Sequence, residues 1–330
     1  MLCGPLTLLA PRAGPRSDAG APIGDDVPLV EASQRTYEQV RMPGGWVAAR
    51  PLPSAEELAR FYADDYYQRL ESSTYQSSYD DEELAHKRLR VAVALHAIAA
   101  AGADPSHGPM LELGAGEGFF LAGAAEAGWD VRGVDLSSFA VERFNPSVAG
   151  RVRHGDAESA LDDLVAQRER VAVCVLVNVL EHVRDPEALL GRVEQVLTPQ
   201  GLVVITVPND DSPLQHTLRR RGHVEDDPWF VPPQHLSYFN TDTGPALARS
   251  CGYDVVDLFS DFPIDWYLLH PGANYVADPA QGKAAHRARI TVELLLAERG
   301  LERFHALGQA LAACGAGRDF TMVLRRPGGG

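Results

Sequence analysis

A glycine-rich stretch directly after an apolar run holds the residues whose types and spacing point most clearly to chemistry. The stretch LELGAGEGFF, residues 111–120, has glycine at every second position from 114 to 118, and Glu112 precedes the first of them. Glycine permits a close approach to the backbone, and N–H groups at the start of a helix bind ligands. A plain glycine-rich turn is the alternative. The predicted ligand contacts are Glu112, Gly114, Ala115 and Gly116.

The charge beside the glycines indicates which ligand to expect. A dinucleotide-binding fingerprint requires glycine at position 119, where this chain has Phe119. The carboxylate of Glu112 would repel a doubly negative pyrophosphate, whereas it attracts a cofactor that carries sulfonium and ammonium groups. Glu112 alternatively orients the amides of its own loop. The pattern favours a cationic cofactor over a nicotinamide dinucleotide.

Further polar residues follow the later predicted strands. Asp135 ends the second strand, where a carboxylate accepts hydrogen bonds from two ribose hydroxyls, in nicotinamide enzymes as well. In the sequence GDAE, Asp156 can accept the exocyclic amine of adenine and Ala157 leaves room for the ring, although a turn with a helix cap is the alternative. Asn178 and Val179 follow the fourth strand, so we expect them at the edge of the cofactor.

Alternating strands and helices must position these motifs. The run VAVCVLV has no polar position, which is typical of a strand that is covered on both faces. Such alternation predicts a parallel sheet with helices on both faces and right-handed crossovers. Ligands bind at the carboxyl ends of the strands in such sheets, and every motif above follows a strand end. The predicted strands are 109–113, 129–135, 151–154, 171–177 and 202–207.

Taken together, these motifs resemble those of the class I S-adenosylmethionine-dependent methyltransferases. LELGAGEG is similar to the first motif of that family, GVDLS to its ribose-binding strand end and GDAE to its adenine contact, while NVLEHV and LTPQGLVVITVPN resemble its later strands. The resemblance covers about residues 105–330 and implies an α/β fold with a Rossmann-like seven-stranded sheet. It also implies a terminal antiparallel hairpin, formed by residues 253–259 and 319–326.

The same resemblance implies the cofactor and its contacts. The cofactor would be S-adenosyl-L-methionine and the product S-adenosyl-L-homocysteine. Residues on several strand ends would surround it. The implied contacts are Gly114, Ala115 and Gly116 under the methionine part, Asp135 and Leu136 at the ribose and adenine, Asp156 and Ala157 at the adenine, and Asn178 and Val179 near the methyl donor.

Composition and predicted elements divide the chain into three parts. Residues 1–25 are rich in Pro, Gly and Ala, and we expect a disordered tail rather than a signal peptide. Residues 26–104 are expected to form an N-terminal helical cap, and residues 105–330 the methyltransferase domain. Two insertions, 209–239 and 262–316, start or end at the carboxyl edge of the sheet, so both are predicted to form a substrate lid.

The cysteines do not predict a metal site. Relatives whose leader resembles FYADDYY often begin with four zinc-binding cysteines, but only Cys3 lies in the corresponding region here. Cys174, Cys251 and Cys314 are scattered without metal-ligand spacing. This pattern suits a reducing compartment, so we expect a cytoplasmic protein that requires no metal.

Two histidines are candidates for taking a proton from the methyl acceptor. Methyl transfer is an in-line displacement at sulfonium, and histidine suits proton transfer near neutral pH. His235, in the first insertion, is the first candidate, with bracing of its loop as the alternative role. His182, in the LEH turn, is the second, with a structural or cofactor-side role as the alternative. The candidate substrate contacts are Trp229 and Tyr238 in the first insertion and Asp265 and Tyr267 in the second, for which interdomain packing is the alternative.

The charge balance limits the classes of partner. The chain has 30 basic and 45 acidic side chains, a formal net charge of −15, and its basic residues form no long run. Nucleic acid is therefore disfavoured, and a small polar substrate, neutral or cationic, is favoured. No apolar stretch approaches the ~18 residues that a membrane span needs.

The insertions make the chain similar to methyltransferases of saccharide and secondary-metabolite assembly. The preferred function is N- or O-methylation of a small polar acceptor, with an amino sugar such as an aminoglycoside, in antibiotic biosynthesis, as the expected substrate. An O-methyltransferase for a phenol or quinone precursor is one alternative, and a non-catalytic cofactor-binding protein is another. A carboxylate-lined pocket would favour the small polar acceptor, and an apolar, aromatic-lined pocket would favour the phenol or quinone precursor.

Overall fold

The computed structural model describes residues 36–61 and 78–326. The tail predicted over residues 1–25 and most of FYADDYY lie outside the described residues. A seven-stranded mixed sheet with helices on both faces forms the centre of the described part. This architecture confirms the predicted α/β, Rossmann-like fold.

The strands in the described ranges are β1 (Glu38–Arg41), β2 (Val47–Arg50), β3 (Met110–Leu113), β4 (Val131–Asp135), β5 (Val152–His154), β6 (Val171–Val177), β7 (Leu197–Pro208), β8 (Ser237–Tyr238), β9 (Asp254–Ser260) and β10 (Asp319–Arg325). The central sheet has the order β5-β4-β3-β6-β7-β10-β9. The first five strands in this order are parallel, and β10 lies antiparallel between β7 and β9. The predicted terminal hairpin is therefore confirmed.

The α-helices in the described ranges are α1 (Ala55–Arg60), α2 (Asp81–Ala100), α3 (Phe119–Glu126), α4 (Phe139–Phe144), α5 (Pro146–Ala149), α6 (Ala157–Gln167), α7 (Pro186–Val196), α8 (Pro213–Arg220), α9 (Thr243–Ser250), α10 (Gly282–Ala297) and α11 (Leu301–Ala313). Side chains of β6 alternate between two cores. Cys174 and Leu176 pack in the core that contains α6 and α7, whereas Val173 and Val175 pack in the core that contains α2 and α3. Cover on both faces explains why this strand is apolar throughout. None of the helices in these ranges combines the length and apolarity that crossing a bilayer requires.

The segment before α1 differs from the predicted helical cap. β1 and β2 form an antiparallel hairpin, and β2 pairs with β8, so that Val47 lies opposite Tyr238. The sequence MPGG explains the turn, because Gly45 has a φ of +91°, which suits glycine and interrupts a helix. The helical prediction is wrong for residues 38–50, whereas α1 and α2 are helical.

Helix α2 links the N-terminal segment to the second insertion. Its first turn is closed by a capping box in which Asp80 accepts the amide of Glu83 at 3.0 Å and Glu83 accepts that of Asp80 at 2.9 Å. Arg287 on α10 forms an ion pair with Asp80 at 2.5 Å. α2 also packs against α3 and α11. These contacts hold one face of α2 over the carboxyl edge of the sheet.

Candidate active site

The loop between β3 and α3 holds three glycines in the left-handed region. φ is +72° at Gly114, +52° at Gly116 and +74° at Gly118. The amide of Gly116 donates to Asp135 Oδ2 at 2.7 Å, and Asp135 Oδ1 accepts the amide of Ser137 at 2.9 Å. The structure thus brings two of the predicted contacts together. Asp135 fixes the loop, and each of its oxygens retains a lone pair for a further donor.

The carboxylate of Glu112 is buried next to this loop. The residue is 3% exposed, and Oε2 has no hydrogen-bond partner. Burial, and then the charge of Asp135, raise the pKa of Glu112 well above its ordinary value, because the charged form loses hydration. A positively charged group bound beside Glu112 would stabilise the ionised form. This environment suits a cationic ligand and disfavours a pyrophosphate.

Val179 explains why position 114 requires glycine. A Cβ atom at Gly114 would lie 2.5 Å from Cγ2 of Val179, which is well inside van der Waals contact. The preceding residue, Asn178, has a φ of +53°, and its amide donates to the carbonyl of Thr206 at 2.8 Å. The loop after β6 therefore packs directly on the glycine loop, and both predicted residues lie beside it.

Asp156 and Ala157 begin α6. Asp156 Oδ1 accepts the amide of Ser159 at 2.8 Å, and Oδ2 accepts its hydroxyl at 2.7 Å. The capping role that the sequence left open is therefore present, and the contact with adenine stays a prediction. Leu136, after β4, is 41% exposed, so its side chain is available for a ligand.

A cavity of about 150 Å³ adjoins the glycine loop. Glu112, Gly114 and Ala115 form part of its wall, and the ends of β6, β7 and β10 and one face of α2 enclose much of the rest. A concave site of this kind, with convergent polar groups, is where reacting groups are expected. Its other charged lining residues are Lys87, Arg90, Glu117, Asp261, Glu293 and Asp319.

Lys87 and Glu117 form the wall of the cavity between α2 and the glycine loop. Lys87 Nζ lies 2.7 Å from Glu117 Oε2, and Glu117 also accepts the hydroxyl of Tyr79. The ammonium of Lys87 lies 4.2 Å from the ring centroid of Tyr79 and 4.8 Å from that of Phe119. Burial lowers the pKa of Lys87, and the charge of Glu117 opposes this. Lys87 thus ties α2 to the start of α3.

Asp261, after β9, lies in an ion network on another wall. Its Oδ1 accepts the amides of Arg318 and Asp319, both at 2.8 Å. Its Oδ2 has no hydrogen bond and lies 3.7 Å from Nη1 of both Arg90 and Arg289. Burial, and then the charge of Asp319, raise the pKa of Asp261 to about 7. Asp261 therefore combines a vacant acceptor position with a proton affinity near neutrality.

A family of known proteins matches the part of the chain that contains α2, the glycine loop and strands β3 to β8. The methyltransferase domain family matches residues 78–258. The chain belongs to this family. The predicted class I S-adenosylmethionine-dependent methyltransferase is thereby confirmed, with S-adenosylmethionine as its cofactor.

Two curated proteins similar to this methyltransferase are named ubiquinone biosynthesis O-methyltransferase. The protein from Cereibacter sphaeroides is 28% identical over 165 residues, which are 48% of this chain and 65% of that protein. The protein from Bradyrhizobium sp. is 31% identical over 171 residues, with the same two coverages of 48% and 65%. The methyltransferase thus spans 65% of the length of both relatives.

Solved methyltransferase structures are also similar to the chain. The 1,6-didemethyltoxoflavin-N1-methyltransferase from Burkholderia thailandensis is 15% identical, with coverage of 88% of this chain and 99% of that one and a TM-score of 0.45. A SAM-dependent methyltransferase from Archaeoglobus fulgidus is 20% identical, with coverage of 74% and 95% and a TM-score of 0.44.

The residues around the glycine loop of the methyltransferase fit the cofactor. The unpartnered buried oxygen of Glu112 suits the ammonium and sulfonium charges. Asp135 retains lone pairs for the ribose hydroxyls while it holds the amide of Gly116. Glu112 and Asp135 therefore each have an unused hydrogen-bond acceptor that matches one part of S-adenosylmethionine.

The two candidate catalytic histidines lie together but are not among the residues that line the cavity. His235 is 2% exposed, and its Nδ1 lies 3.7 Å from Asp210 Oδ2. His182 Nδ1 donates to the carbonyl of Gln234 at 2.6 Å, and the two imidazole centroids are 4.9 Å apart. Burial and the neighbouring His235 lower the pKa of His182 to about 3. Their role in proton transfer stays a prediction.

The candidate substrate residues of the first insertion take part in its packing. Trp229 is 8% exposed and packs with Leu218 and Leu268. The hydroxyl of Tyr238 donates to the carbonyl of His235 at 2.9 Å and accepts the amide of Val231 at 3.1 Å. Neither side chain lines the cavity beside the glycine loop. Contact with substrate therefore stays a prediction for both.

The candidate substrate residues of the second insertion lie outside the lining of the cavity. Asp265 is 4% exposed and accepts hydrogen bonds from Tyr275 at 2.5 Å and from Gln215 at 3.3 Å. Tyr267 is half-buried, with its ring centroid 5.8 Å from that of Phe262. Neither residue lines the cavity, so their predicted contact with substrate also remains untested.

Sequence reasoning missed most of the charged lining of the cavity. From the sequence, α2 was assigned only to an N-terminal helical cap, although Lys87, Arg90, Val91 and Ala94 have the spacing of one helix face and all line the cavity. The signal was present in that spacing. The position of Asp261 directly after β9 offered a second signal, because it follows a strand end like the other motifs.

Proposed function

We propose that this methyltransferase transfers a methyl group to an amine of a small polar acceptor in the cavity beside the glycine loop. The observation that carries the proposal is the charge of the lining, because carboxylates outnumber cations among the described residues. Excess negative charge attracts an ammonium group and repels an acidic acceptor. The carboxylates are Glu112, Glu117, Asp261, Glu293 and Asp319, and the cations are Lys87 and Arg90.

Asp261 is the group of the lining best suited to receive the proton of the acceptor. When bound, the cofactor would supply a methyl group on sulfonium; a neutral amine would attack the methyl carbon in line, the C–S bond would break and S-adenosylhomocysteine would leave. An acceptor that binds as an ammonium group must lose a proton before it can attack, and a general base works best when its pKa lies near the working pH. The pKa of Asp261 is raised to about 7, and its Oδ2 accepts no hydrogen bond. Asp261 would hold an N–H group of the acceptor and then carry its proton.

An amino sugar is the acceptor that we expect within the amine class. The formal net charge of −15 favours a cationic acceptor over an anionic one. Lys87 and Arg90 are already paired with Glu117 and Asp319, so they offer little to an acidic acceptor. Hydroxyl groups of a sugar would find carboxylate oxygens as hydrogen-bond acceptors in the same lining.

O-methylation of a phenol is the second candidate function. Two observations favour it: the two relatives above are named ubiquinone biosynthesis O-methyltransferase, and aromatic side chains share the cavity wall with the carboxylates. A phenol would stack on these rings, and its hydroxyl would donate to Asp261. The aromatic lining residues are Phe119, Phe120, Phe259 and Phe304.

A matched panel of acceptors tests the proposal. Purified protein and S-adenosylmethionine are incubated with amino sugars, with the corresponding sugars that carry hydroxyl in place of amine, and with catechols, and a mass gain of one CH₂ is measured. Methylation of amino sugars alone is expected. Methylation of catechols alone would support the second candidate and contradict the amine proposal. Binding of S-adenosylhomocysteine without any methylation would indicate a non-catalytic binding protein.

Two variants identify the base. Asp261→Asn keeps an oxygen for the amides of Arg318 and Asp319 but cannot take a proton, so we expect kcat to fall by roughly 10²–10⁴-fold with unchanged affinity for S-adenosylhomocysteine. His235→Ala is the matched comparison. A larger loss of kcat in His235→Ala than in Asp261→Asn would return the role of base to His235.

A further inference from the structure

Three potential metal ligands converge outside the cavity. They come from the loop after β6, which supplies Glu181 and His182, and from the first insertion, which supplies His235. One ligand atom from each lies within 4.8 Å of the others. Glu181 is 1% exposed, and neither of its carboxylate oxygens has a hydrogen-bond partner. A buried carboxylate that accepts no hydrogen bond is costly, so this position calls for a cation or another strong donor.

We propose that Glu181, His182 and His235 bind a divalent first-row transition metal, with zinc as the best-suited ion. One carboxylate oxygen and two imidazole nitrogens form a donor set that zinc and its neighbours prefer. Mg²⁺ and Ca²⁺ prefer sites made of oxygen ligands, so they suit this one poorly. The metal would supply the positive charge that balances the buried carboxylate of Glu181.

The surroundings orient the two imidazoles as metal ligands are usually oriented. Nδ1 of His182 donates to the carbonyl of Gln234 at 2.6 Å, so this hydrogen bond places the lone pair on Nε2, which lies 3.8 Å from Glu181 Oε1. Nδ1 of His235 faces Asp210 at 3.7 Å. Carbonyl and carboxylate groups behind metal-bound histidines fix the tautomer and raise the basicity of the ligand.

Small movements would complete the coordination. Zinc binds nitrogen and oxygen at about 2.0–2.1 Å, which places tetrahedral ligand atoms about 3.3 Å apart. The 3.8 Å between His182 and Glu181 is therefore slightly long, and the ligand atoms, which all lie within 4.8 Å of one another, must move closer through side-chain rotation. Three protein ligands leave a fourth position for water.

The metal would connect the first insertion to the edge of the central sheet. The amides of Leu236 and Ser237 already donate to the carbonyl of Glu181, at 2.8 and 3.1 Å. A metal that binds His235 and Glu181 would strengthen the same junction between the insertion and the sheet. It would also occupy both candidate histidine bases, since a metal-bound nitrogen cannot take a proton.

Metal content and metal-dependent stability test this proposal on the full chain without cofactor or acceptor. The protein is stripped with a chelator and titrated with Zn²⁺, and bound zinc and the thermal midpoint are measured. One equivalent of zinc and a higher midpoint are expected. Zinc-edge X-ray absorption of the parent protein should show nitrogen and oxygen ligands without sulfur. These readouts are independent of methyl transfer, so their failure leaves the proposed function standing.

Substitutions locate the site. Glu181→Gln has nearly the same shape and should weaken zinc binding by more than about tenfold. His305→Asn is the matched control, because His305 is also buried and pairs with a carboxylate, Asp257, at 2.8 Å, but belongs to no such triad of described residues. Absence of stoichiometric zinc in the parent, sulfur ligands in the absorption spectrum, or equal affinity in Glu181→Gln would each overturn the proposal.

Discussion

Replacing Gly114 with alanine tests the packing that shapes the cofactor loop. Gly114 has a φ of +72°, and an added Cβ would lie 2.5 Å from Cγ2 of Val179. The left-handed backbone costs about 1–2 kcal/mol for a residue with a Cβ. Overpacking against a valine in a close-packed region costs about 1–3 kcal/mol more. The sum predicts that Gly114→Ala lowers the free energy of unfolding by about 2–5 kcal/mol.

Two further substitutions separate the two contributions. Gly102→Ala is the matched control, because Gly102 has a φ of +85° but nothing lies within 4 Å of its added Cβ, so only the backbone cost of about 1–2 kcal/mol applies. Val179→Ala removes Cγ2, the atom that the new methyl group would meet. In the double variant Gly114→Ala/Val179→Ala this contact disappears, so the alanine at position 114 retains only its backbone cost. The two substitutions should therefore couple favourably by about 1–3 kcal/mol.

Urea denaturation of the parent and the four variants measures these free energies, and calorimetric titration with S-adenosylhomocysteine measures the consequence for the loop. We expect weaker binding in Gly114→Ala and partial recovery in the double variant. Equal destabilisation by Gly114→Ala and Gly102→Ala would refute the packing argument. So would additivity of the Gly114 and Val179 substitutions within about 0.5 kcal/mol.

Two other predictions concern charge and helix packing. The pKa of Glu112 is raised in the folded protein, so its contribution to stability is present below its ordinary pKa and is lost as pH rises through the folded value. Glu112→Gln should therefore become more stable relative to the parent between pH 5 and pH 8 in urea denaturation without cofactor. A difference in stability that does not change with pH would contradict this. It should also bind S-adenosylmethionine roughly tenfold more weakly, because a charge is lost beside the sulfonium. Gly308→Ala places a Cβ 2.8 Å from the carbonyl oxygen of Ser260 and should lower the free energy of unfolding by roughly 1–2 kcal/mol. Gly191 is a helical glycine with open space around it, so Gly191→Ala should raise the free energy of unfolding by about 0.5–1 kcal/mol. Changes of the same sign in thermal unfolding would contradict the packing argument.

The sheet could be predicted from the sequence because its signals are local. Apolar runs such as VAVCVLV and the glycines that follow β3 identify strand ends without knowledge of distant contacts. The hairpin at 38–50 was missed although MPGG offered a local turn signal, and the strand β8 that extends its sheet lies almost two hundred residues later. The predicted lining of the cavity was incomplete because parts of the chain that are distant in sequence form much of it. The spacing of Lys87 and Arg90 was visible, but the surface that they face is built by β10 and α10.

The terminal hairpin explains why acceptor chemistry gathers at the end of the sheet that also holds the cofactor loop. β10 runs antiparallel to β7, so its first residue, Asp319, pairs with Pro208, the last residue of β7. The next residue, Phe320, pairs with Ser260, the last residue of β9. The reversal therefore brings Asp261 and Asp319 together at the edge where the parallel strands end. Two carboxylates that are far apart in the chain thus enter one wall of the cavity.

Charge in this wall is not balanced, and the imbalance indicates what the wall is for. Asp261, Glu293 and Asp319 share two arginines: Arg90 lies 2.9 Å from Asp319, and Arg289 lies 3.7 Å from Asp261 and 3.8 Å from Glu293. His86 also lies 2.5 Å from Glu293, but burial lowers the pKa of its imidazole, so it adds no full positive charge near neutral pH. One negative charge is left over, and burial makes an uncompensated charge costly, so a proton is retained near neutral pH. The raised pKa assigns that proton to Asp261. An ammonium group that enters the cavity can take the place of the proton, whereas a neutral apolar ring cannot, and this difference is the physical basis for preferring an amine acceptor.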